Sequence, residues 1–473
     1  MTSLGWAFAS KKKAMRELSI FAAASEAPSR ECLVANGRAW SFAEVAARVS
    51  GAIDVLRSRG VASGDRVAFA PRADFASAVW LYALFELGCP ALLVHPRLTE
   101  RERALVLGSA APVATIDDDP PRRPSSVPAS DCIPQDRTLA IVYTSGSRRA
   151  PRGALLSRRA FVASEAAHAA NLGWTSEDRW LLAMPPAHVG GLSILTRCLI
   201  ARRSLVLQGG PFDPAQTIRT MEHEDVTLLS VVPTMLHRLL ECESPKWRPS
   251  RMLRAVLVGG APLPDPLRKR AVSSGVPILS TYGCTEACSQ VTTQTLAQVG
   301  LPGCGAPLPG IRVRIDGDEI QVHGPTLMQG YLGAERAEEP WTEDGWLRTG
   351  DSGAFASDGQ LVVRGRLDDM IVTGGENVAP QEIEAWLHGL PGVTAACVFP
   401  IEDLEWGQRV VAAIVTDART YEPETMRARM KAELAAHKRP KALALVEALP
   451  LNRSGKVDLL KLRALVEGKL RPI

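Results

Sequence analysis

From Leu139 to Thr281 the chain alternates short apolar runs with stretches of helical spacing. The runs are Leu139 to Tyr143, Trp180 to Met184, Ser204 to Leu207, Thr227 to Val232, Ala255 to Val258 and Val276 to Leu279, punctuated by Gly, Ser, Thr or Pro. Strand, punctuation, helix and strand again is the pattern of a parallel, doubly wound α/β sheet. Ala76 to Val94 is the most apolar stretch, but Glu86, Gly88 and Pro90 interrupt it, so it reads as a buried helix followed by a strand rather than a membrane span. After Gly310 the period changes to two: Ile311-Arg-Val-Arg-Ile, the turn signal Asp316-Gly317, then Glu319-Ile-Gln-Val-His predict an antiparallel hairpin in a small β-barrel-like subdomain. Pro120 to Pro128 reads as a surface loop.

Past Arg366 the chain carries its own strand and helix signals, among them Ala379 to His388, Ala395 to Pro400, Arg409 to Val415 and Glu424 to Ala436. The expected boundary falls at Arg366 to Asp368, dividing the chain into a large α/β unit, 1–366, and a small α+β unit, 367–473. No internal repeat is visible.

Composition narrows the function classes. A chain of 473 residues, 46% hydrophobic and 22% charged, can bury large cores. The 55 basic residues barely exceed the 51 acidic ones, a net charge of +4 that does not indicate nucleic acid as a partner. Lys11, Lys12 and Lys13 are followed by Arg16 and Glu17 instead of an apolar leader, and a cytoplasmic location is expected. Nine cysteines without regular spacing fit reduced thiols. Cys284 and Cys288 lie one helical turn apart, yet no second His/Cys pair joins them, so they read as packing thiols.

The chemistry concentrates where strands end, the place where ligands of such sheets gather. Tyr143-Thr-Ser-Gly-Ser-Arg-Arg-Ala-Pro-Arg-Gly153 gathers hydroxyls, glycines and cations suited to wrapping a polyphosphate with backbone N–H groups, although it lacks the Gly-Lys-Ser/Thr of the common phosphate loop. Ser280-Thr-Tyr-Gly-Cys-Thr-Glu286 combines a hydroxyl, a close-approach glycine and a carboxylate able to hold Mg²⁺ between phosphates. Trp346-Leu-Arg-Thr-Gly-Asp351 offers an acid for two ribose hydroxyls. Gly365-Arg-Leu-Asp-Asp-Met-Ile-Val-Thr-Gly-Gly375 adds a cation at the expected boundary, and Pro450-Leu-Asn-Arg-Ser-Gly-Lys456 a lysine on a glycine turn. Each alone is equally readable as a solvated loop.

In this order and spacing the five motifs resemble the adenylate-forming superfamily of acyl-CoA synthetases, luciferases and peptide-synthetase adenylation domains, over about Trp40 to Lys461. The resemblance implies an ATP- and Mg²⁺-dependent ligase that forms acyl-AMP and passes the acyl group to a thiol, with coenzyme A as co-substrate, and a mobile C-terminal lid. It puts Thr144, Ser145, Gly146 and Ser147 on the phosphates, with Thr144 and Glu286 near the metal. Gly260, Ala261, Pro262, Thr281, Tyr282 and Gly283 would line the nucleotide, Thr285 would approach the α-phosphate, and Asp351 and Arg366 would hold the ribose. Lys456 would stabilise the charge that develops during adenylation. Gly374 and Gly375 would open the thiol tunnel, and Asp368 would be the hinge.

Relatives mostly carry Thr-Thr-Gly-Lys-Pro-Lys where this chain has Ser147-Arg-Arg-Ala-Pro-Arg152, so a lysine becomes an arginine and a glycine becomes the bulkier Arg149. Met184-Pro-Pro-Ala-His188-Val-Gly-Gly-Leu-Ser-Ile-Leu-Thr-Arg197 most resembles the o-succinylbenzoate CoA ligases of menaquinone biosynthesis. That likeness implies His188 at the mouth of the acyl pocket and a cation for a second carboxylate, for which Arg197 is the candidate unless it lies on the outer face of its helix. Medium-chain or aromatic acyl-CoA synthetases, an adenylation enzyme that loads a carrier protein, and a non-catalytic nucleotide-binding module remain alternatives, and a homodimer is left open.

Overall fold

The computed structural model describes residues 17–473 except 97, 122–124, 127–132, 145–151, 245, 336–339, 374–375, 404–405, 418–419 and 453–456. Six sequence-predicted site residues, Ser145, Gly146, Ser147, Gly374, Gly375 and Lys456, lie outside the described residues, as do Lys11 to Lys13 and most of the loop from Pro120 to Pro128.

The apolar runs divide between two sheets. Thr138–Thr144 belongs to a five-stranded sheet, in the order Ala114–Ile116, Val67–Phe69, Ala91–Leu93, Thr138–Thr144 and Arg152–Ser157, parallel except for the last pair. The other five runs form the parallel heart of a nine-stranded sheet, Ile278–Cys284, Ala255–Val258, Leu228–Val231, Arg179–Leu182 and Ser204–Leu207, with Glu31–Ala35 continuing it in parallel. Alternation specifies that strands are parallel and buried, but it carries no label for which sheet a strand joins.

Helices decide the split. Arg158–Leu172 follows the last strand of the smaller sheet, Val189–Ala201 follows a strand of the larger one, and the two helices lie side by side between the sheets. One core results, with Leu93 and Val142 from one sheet, Trp180 and Leu205 from the other, and Leu192 and Leu195 between them. The outer faces have their own smaller clusters, around Val206 and Leu236 on one side and Ile141 and Val106 on the other. The apolar stretch read as helix then strand is Phe75–Leu87 and Ala91–Leu93. Asp74 caps that helix by accepting from Ser77 N at 2.8 Å, and Gly88 ends it at φ 69°.

The hairpin expected after Gly310 forms as Arg312–Asp316 against Glu319–His323, and Leu347–Phe355 and Leu361–Arg366 complete a four-stranded antiparallel sheet. The following 3₁₀ turn, Leu367–Asp369, leads to a separate sheet built on the long pair Val393–Asp403 and Gly407–Thr416. Two small clusters cover it, one with Ile383 and Leu387 of helix Pro380–His388, the other with Leu462 and Val466 of helix Leu459–Val466. Among the described residues no helix is long and apolar enough to cross a membrane.

Candidate active site

The sequence reading ends a strand before Ser280. In the structure the strand Ile278–Cys284 runs through the motif itself, because its second half leaves the parallel sheet to pair antiparallel with Ser289–Thr293. Gly283 makes this crossing feasible: a Cβ there would overlap the carbonyl of Ser289. The chain then turns through the 3₁₀ segment Thr285–Ala287, which presents half-buried Thr285 and Glu286 beside the nucleotide motifs. Cys288 and Ser289 close the turn at φ 54° and 89°.

Three motifs far apart in sequence meet at Asp351. Tyr282 donates its phenol to Asp351 Oδ2 at 2.7 Å, and Arg366 Nη1 donates to Asp351 Oδ1 at 3.2 Å and to the Thr349 carbonyl at 2.8 Å. Gly350, at φ 70°, leaves room for the guanidinium, since a Cβ would lie 2.9 Å from Arg366 Nη2. Burial pushes the Asp351 carboxyl above its ordinary range, although the Arg366 charge opposes this, and burial next to Asp351 raises the Tyr282 phenol well above its usual value. Arg366 also reaches Asp368, whose Oδ2 lies 3.7 Å from Nη2.

Gly260, Ala261 and Pro262 follow the strand Ala255–Val258 and are exposed at its carboxyl end. Gly259 anchors this loop against the motif strand, because a Cβ there would come within 2.7 Å of the Thr281 methyl. Thr281 is tied down by its hydroxyl, which donates to Thr292 O at 2.8 Å. Thr144 ends its strand with Oγ1 3.4 Å from the carbonyl of Arg152, across the phosphate-loop motif. Glu286 Oε1 accepts from the Tyr331 hydroxyl at 2.7 Å. The Tyr331 phenol is raised by burial and by that carboxylate.

The predicted acyl side stands on helix Val189–Ala201. His188 is its half-buried N-cap residue, and its ring packs at 4.8 Å on His95, which follows the strand Ala91–Leu93 of the other sheet. Arg197 is 2% exposed, so it does not lie on an outer face. Its Nη2 donates to Ser164 Oγ at 2.8 Å, Ser164 in turn donates to Cys288 O at 3.1 Å, and Nε has no hydrogen-bond partner among the described residues. Burial lowers the guanidinium to about 10, so it remains charged at neutral pH. Nearby His168 is held neutral by burial and by the Arg197 charge, with Nδ1 3.2 Å from Gln290 Oε1.

The described residues fit a magnesium nucleotide. A half-buried carboxylate at Glu286 shares one oxygen with a neutral phenol and, among the described residues, forms no ion pair, and Asp351 offers a carboxylate fixed by two donors. Tyr331 and His95 were not legible as site residues. Neither stands in a recognisable spacing, and both arrive by packing of segments remote in sequence.

A double sheet joined by a helical layer, with Gly, Thr, Glu and Asp motifs converging on strand ends, defines a nucleotide-dependent acyl-activating protein, and the chain belongs to the AMP-binding enzyme family. The model of that family matches residues 20–132 and 117–332, and the AMP-binding enzyme C-terminal domain matches 382–456. The 2-succinylbenzoate--CoA ligase of Bacillus licheniformis is 32% identical over 462 residues, covering 91% of this chain and 96% of the relative. The o-succinylbenzoate CoA synthetase of Bacillus subtilis in complex with its acyl-adenylate intermediate superimposes with a TM-score of 0.83 at 29% identity, covering 93% of this chain and 96% of that one. The same Bacillus subtilis enzyme with ATP and magnesium ion gives 0.82 at 29% identity, covering 93% and 97%.

Proposed function

We propose that this protein is the ATP-dependent ligase that joins o-succinylbenzoate to coenzyme A through an acyl-AMP intermediate, in menaquinone biosynthesis. Relatives with that activity match along nearly the whole chain. The observation that selects the acid is Arg197. A buried guanidinium with an unpartnered Nε and, among the described residues, no ion-paired carboxylate is costly unless an anion arrives with the ligand. The second carboxylate of a dicarboxylic acid supplies that anion.

In the first half-reaction the carboxylate oxygen of the acid attacks the α-phosphorus of ATP, and the bond from that phosphorus to the bridging oxygen breaks, releasing pyrophosphate. Asp351, held by Tyr282 and Arg366, receives the ribose hydroxyls. Gly260, Ala261 and Pro262 flank the base, Thr144, Ser145, Gly146 and Ser147 bind the phosphates, and Thr285 faces the α-phosphate. Thr144 and Glu286 would hold magnesium, which would supply neutralisation of phosphate charge. Lys456 stabilises the charge that develops between acid and phosphate. In the second half-reaction the coenzyme A sulfur attacks the acyl carbonyl and AMP departs. Gly374 and Gly375 border the thiol's path, and the lid, 367–473, turns about Asp368 beside Arg366. A cytoplasmic location accords with described cysteines that are all free thiols. A homodimer belongs to the same proposal, supported by the exposed Leu296, Val299 and Leu301, and sedimentation tests it.

The decisive experiment is ATP- and Mg²⁺-dependent pyrophosphate release with o-succinylbenzoate, benzoate and medium-chain fatty acids, each with and without coenzyme A. Turnover confined to o-succinylbenzoate with coenzyme A supports the proposal. Preference for a monocarboxylate would move the substrate, and release without any dependence on coenzyme A would favour a carrier-loading enzyme.

A further inference from the structure

The segment from Met328 to Leu332 is stitched to both sides of the candidate nucleotide site. Met328 N donates to Glu286 O at 2.7 Å, Gln329 N to Leu155 O at 2.8 Å, and Leu332 N to Gly153 O at 2.8 Å. Tyr331 therefore sits, 5% exposed, between the strand that begins at Arg152 and the turn that carries Glu286. Its hydroxyl donates to Glu286 Oε1 at 2.7 Å, and the Arg152 guanidinium lies over its ring at 3.9 Å.

We infer that Tyr331 is a positioning residue for magnesium-bound ATP: it aims the Glu286 carboxylate, and Arg152 locks its ring by stacking. The inference rests on Glu286 being the metal carboxylate. A glutamate free to rotate would have to be ordered each time the metal binds, whereas one already held by a donor has lost that freedom beforehand. The donor's chemistry matters too. A phenol orients the carboxylate without neutralising it, whereas a pairing cation would cancel the charge that attracts Mg²⁺. A lysine ammonium at position 152 is a compact point charge, but the planar guanidinium stacks on an aromatic face. The arginine in place of the usual lysine thus joins the end of the phosphate loop to the metal carboxylate through one aromatic ring.

The test is ATP affinity by calorimetry with saturating Mg²⁺ and with the metal chelated, on the full chain and three variants. In the wild type the metal should tighten ATP binding. Tyr331→Phe keeps the ring and should lose about tenfold of that gain, about 1.4 kcal/mol, with metal-free affinity unchanged. Glu286→Gln should lose the whole gain. A Tyr331→Phe protein that keeps the full gain, while Glu286→Gln loses it, overturns the positioning role and leaves the metal reading intact. A Glu286→Gln protein that keeps the gain overturns both. Should Tyr331→Phe fail to fold, Arg152→Met removes the stack but leaves the hydroxyl. A partial loss of the gain then supports the inference, and full retention overturns it.

Discussion

The phenol of Tyr282 donates to Asp351 across 2.7 Å, joining the motif strand of the nine-stranded sheet to the third strand of the antiparallel subdomain, 69 positions further along the chain. Asp351 is accordingly shielded from water, and its carboxyl is harder to ionise than a free one because burial disfavours the charge.

That cost can be measured. A carboxyl whose folded pKa is raised contributes stability below its unfolded pKa and loses it as pH rises through the folded value. Asp351→Asn should therefore raise Tm at pH 7, and the gain should shrink as pH falls toward the ordinary aspartate range. The same variant should raise the KM for ATP by about tenfold or more, since a charge-assisted hydrogen bond contributes roughly 1.5–3 kcal/mol. Thermal melts across pH, with initial rates at varied ATP, check both.

Arg197→Leu should raise the KM for o-succinylbenzoate by about tenfold to a hundredfold, the worth of a charged hydrogen bond. The KM for benzoate should stay close to wild type. Because the guanidinium is buried without an ion partner among the described residues, an apolar replacement should leave Tm unchanged or higher. Equal effects on both acids would remove the case for Arg197.

Gly283→Ala should abolish ATP binding. The added methyl overlaps the Ser289 carbonyl, so the strand pair that carries Tyr282, and is joined by the turn bearing Glu286, must open. Calorimetry with ATP, alongside circular dichroism to verify that the remainder folds, reads the effect.

In the small C-terminal unit, burial pushes the Glu384 carboxyl up to about 7 from 4.5, while Val398 N donates to its Oε1 at 2.8 Å. The sign follows: native Glu384 binds a proton that the unfolded chain releases, so stability from this group is full below about pH 4.5 and is lost as pH rises through about 7. Glu384→Gln keeps an acceptor for Val398 and should flatten the fall in Tm between these values. An unchanged slope would place the titration elsewhere.

Lys456→Ala should lower pyrophosphate release by a factor on the order of 10² to 10³, the usual loss on removing one preorganised charge stabiliser. Thiolysis of supplied acyl-AMP should be retained, because the proposed turn of the lid would take the lysine out of the site before the second half-reaction. Stopped assays of each half-reaction separate the two outcomes.

Much of this molecule is legible in local pattern. Period-two alternation on either side of Asp316-Gly317 suffices for the hairpin Arg312–Asp316 and Glu319–His323, since a strand's burial repeats every second residue. Gly88 and Pro90 suffice to stop the apolar helix Phe75–Leu87, and the five motifs suffice for the family and the nucleotide chemistry. Local pattern is silent on which surfaces meet. It could not divide the parallel strands between two sheets, because equally apolar runs suit either one, and the choice lies in how Arg158–Leu172 and Val189–Ala201 pack together. Nor could it carry the motif strand on to Cys284, since that extension depends on a partner strand, Ser289–Thr293, beyond the turn. The burial of Arg197, the contact of His188 with His95 and the grip of Tyr331 on Glu286, 45 positions away, were likewise decided only in the folded chain. Periodicity along a chain encodes which face of an element turns inward, while the identity of the neighbour found there is a property of the whole packed structure.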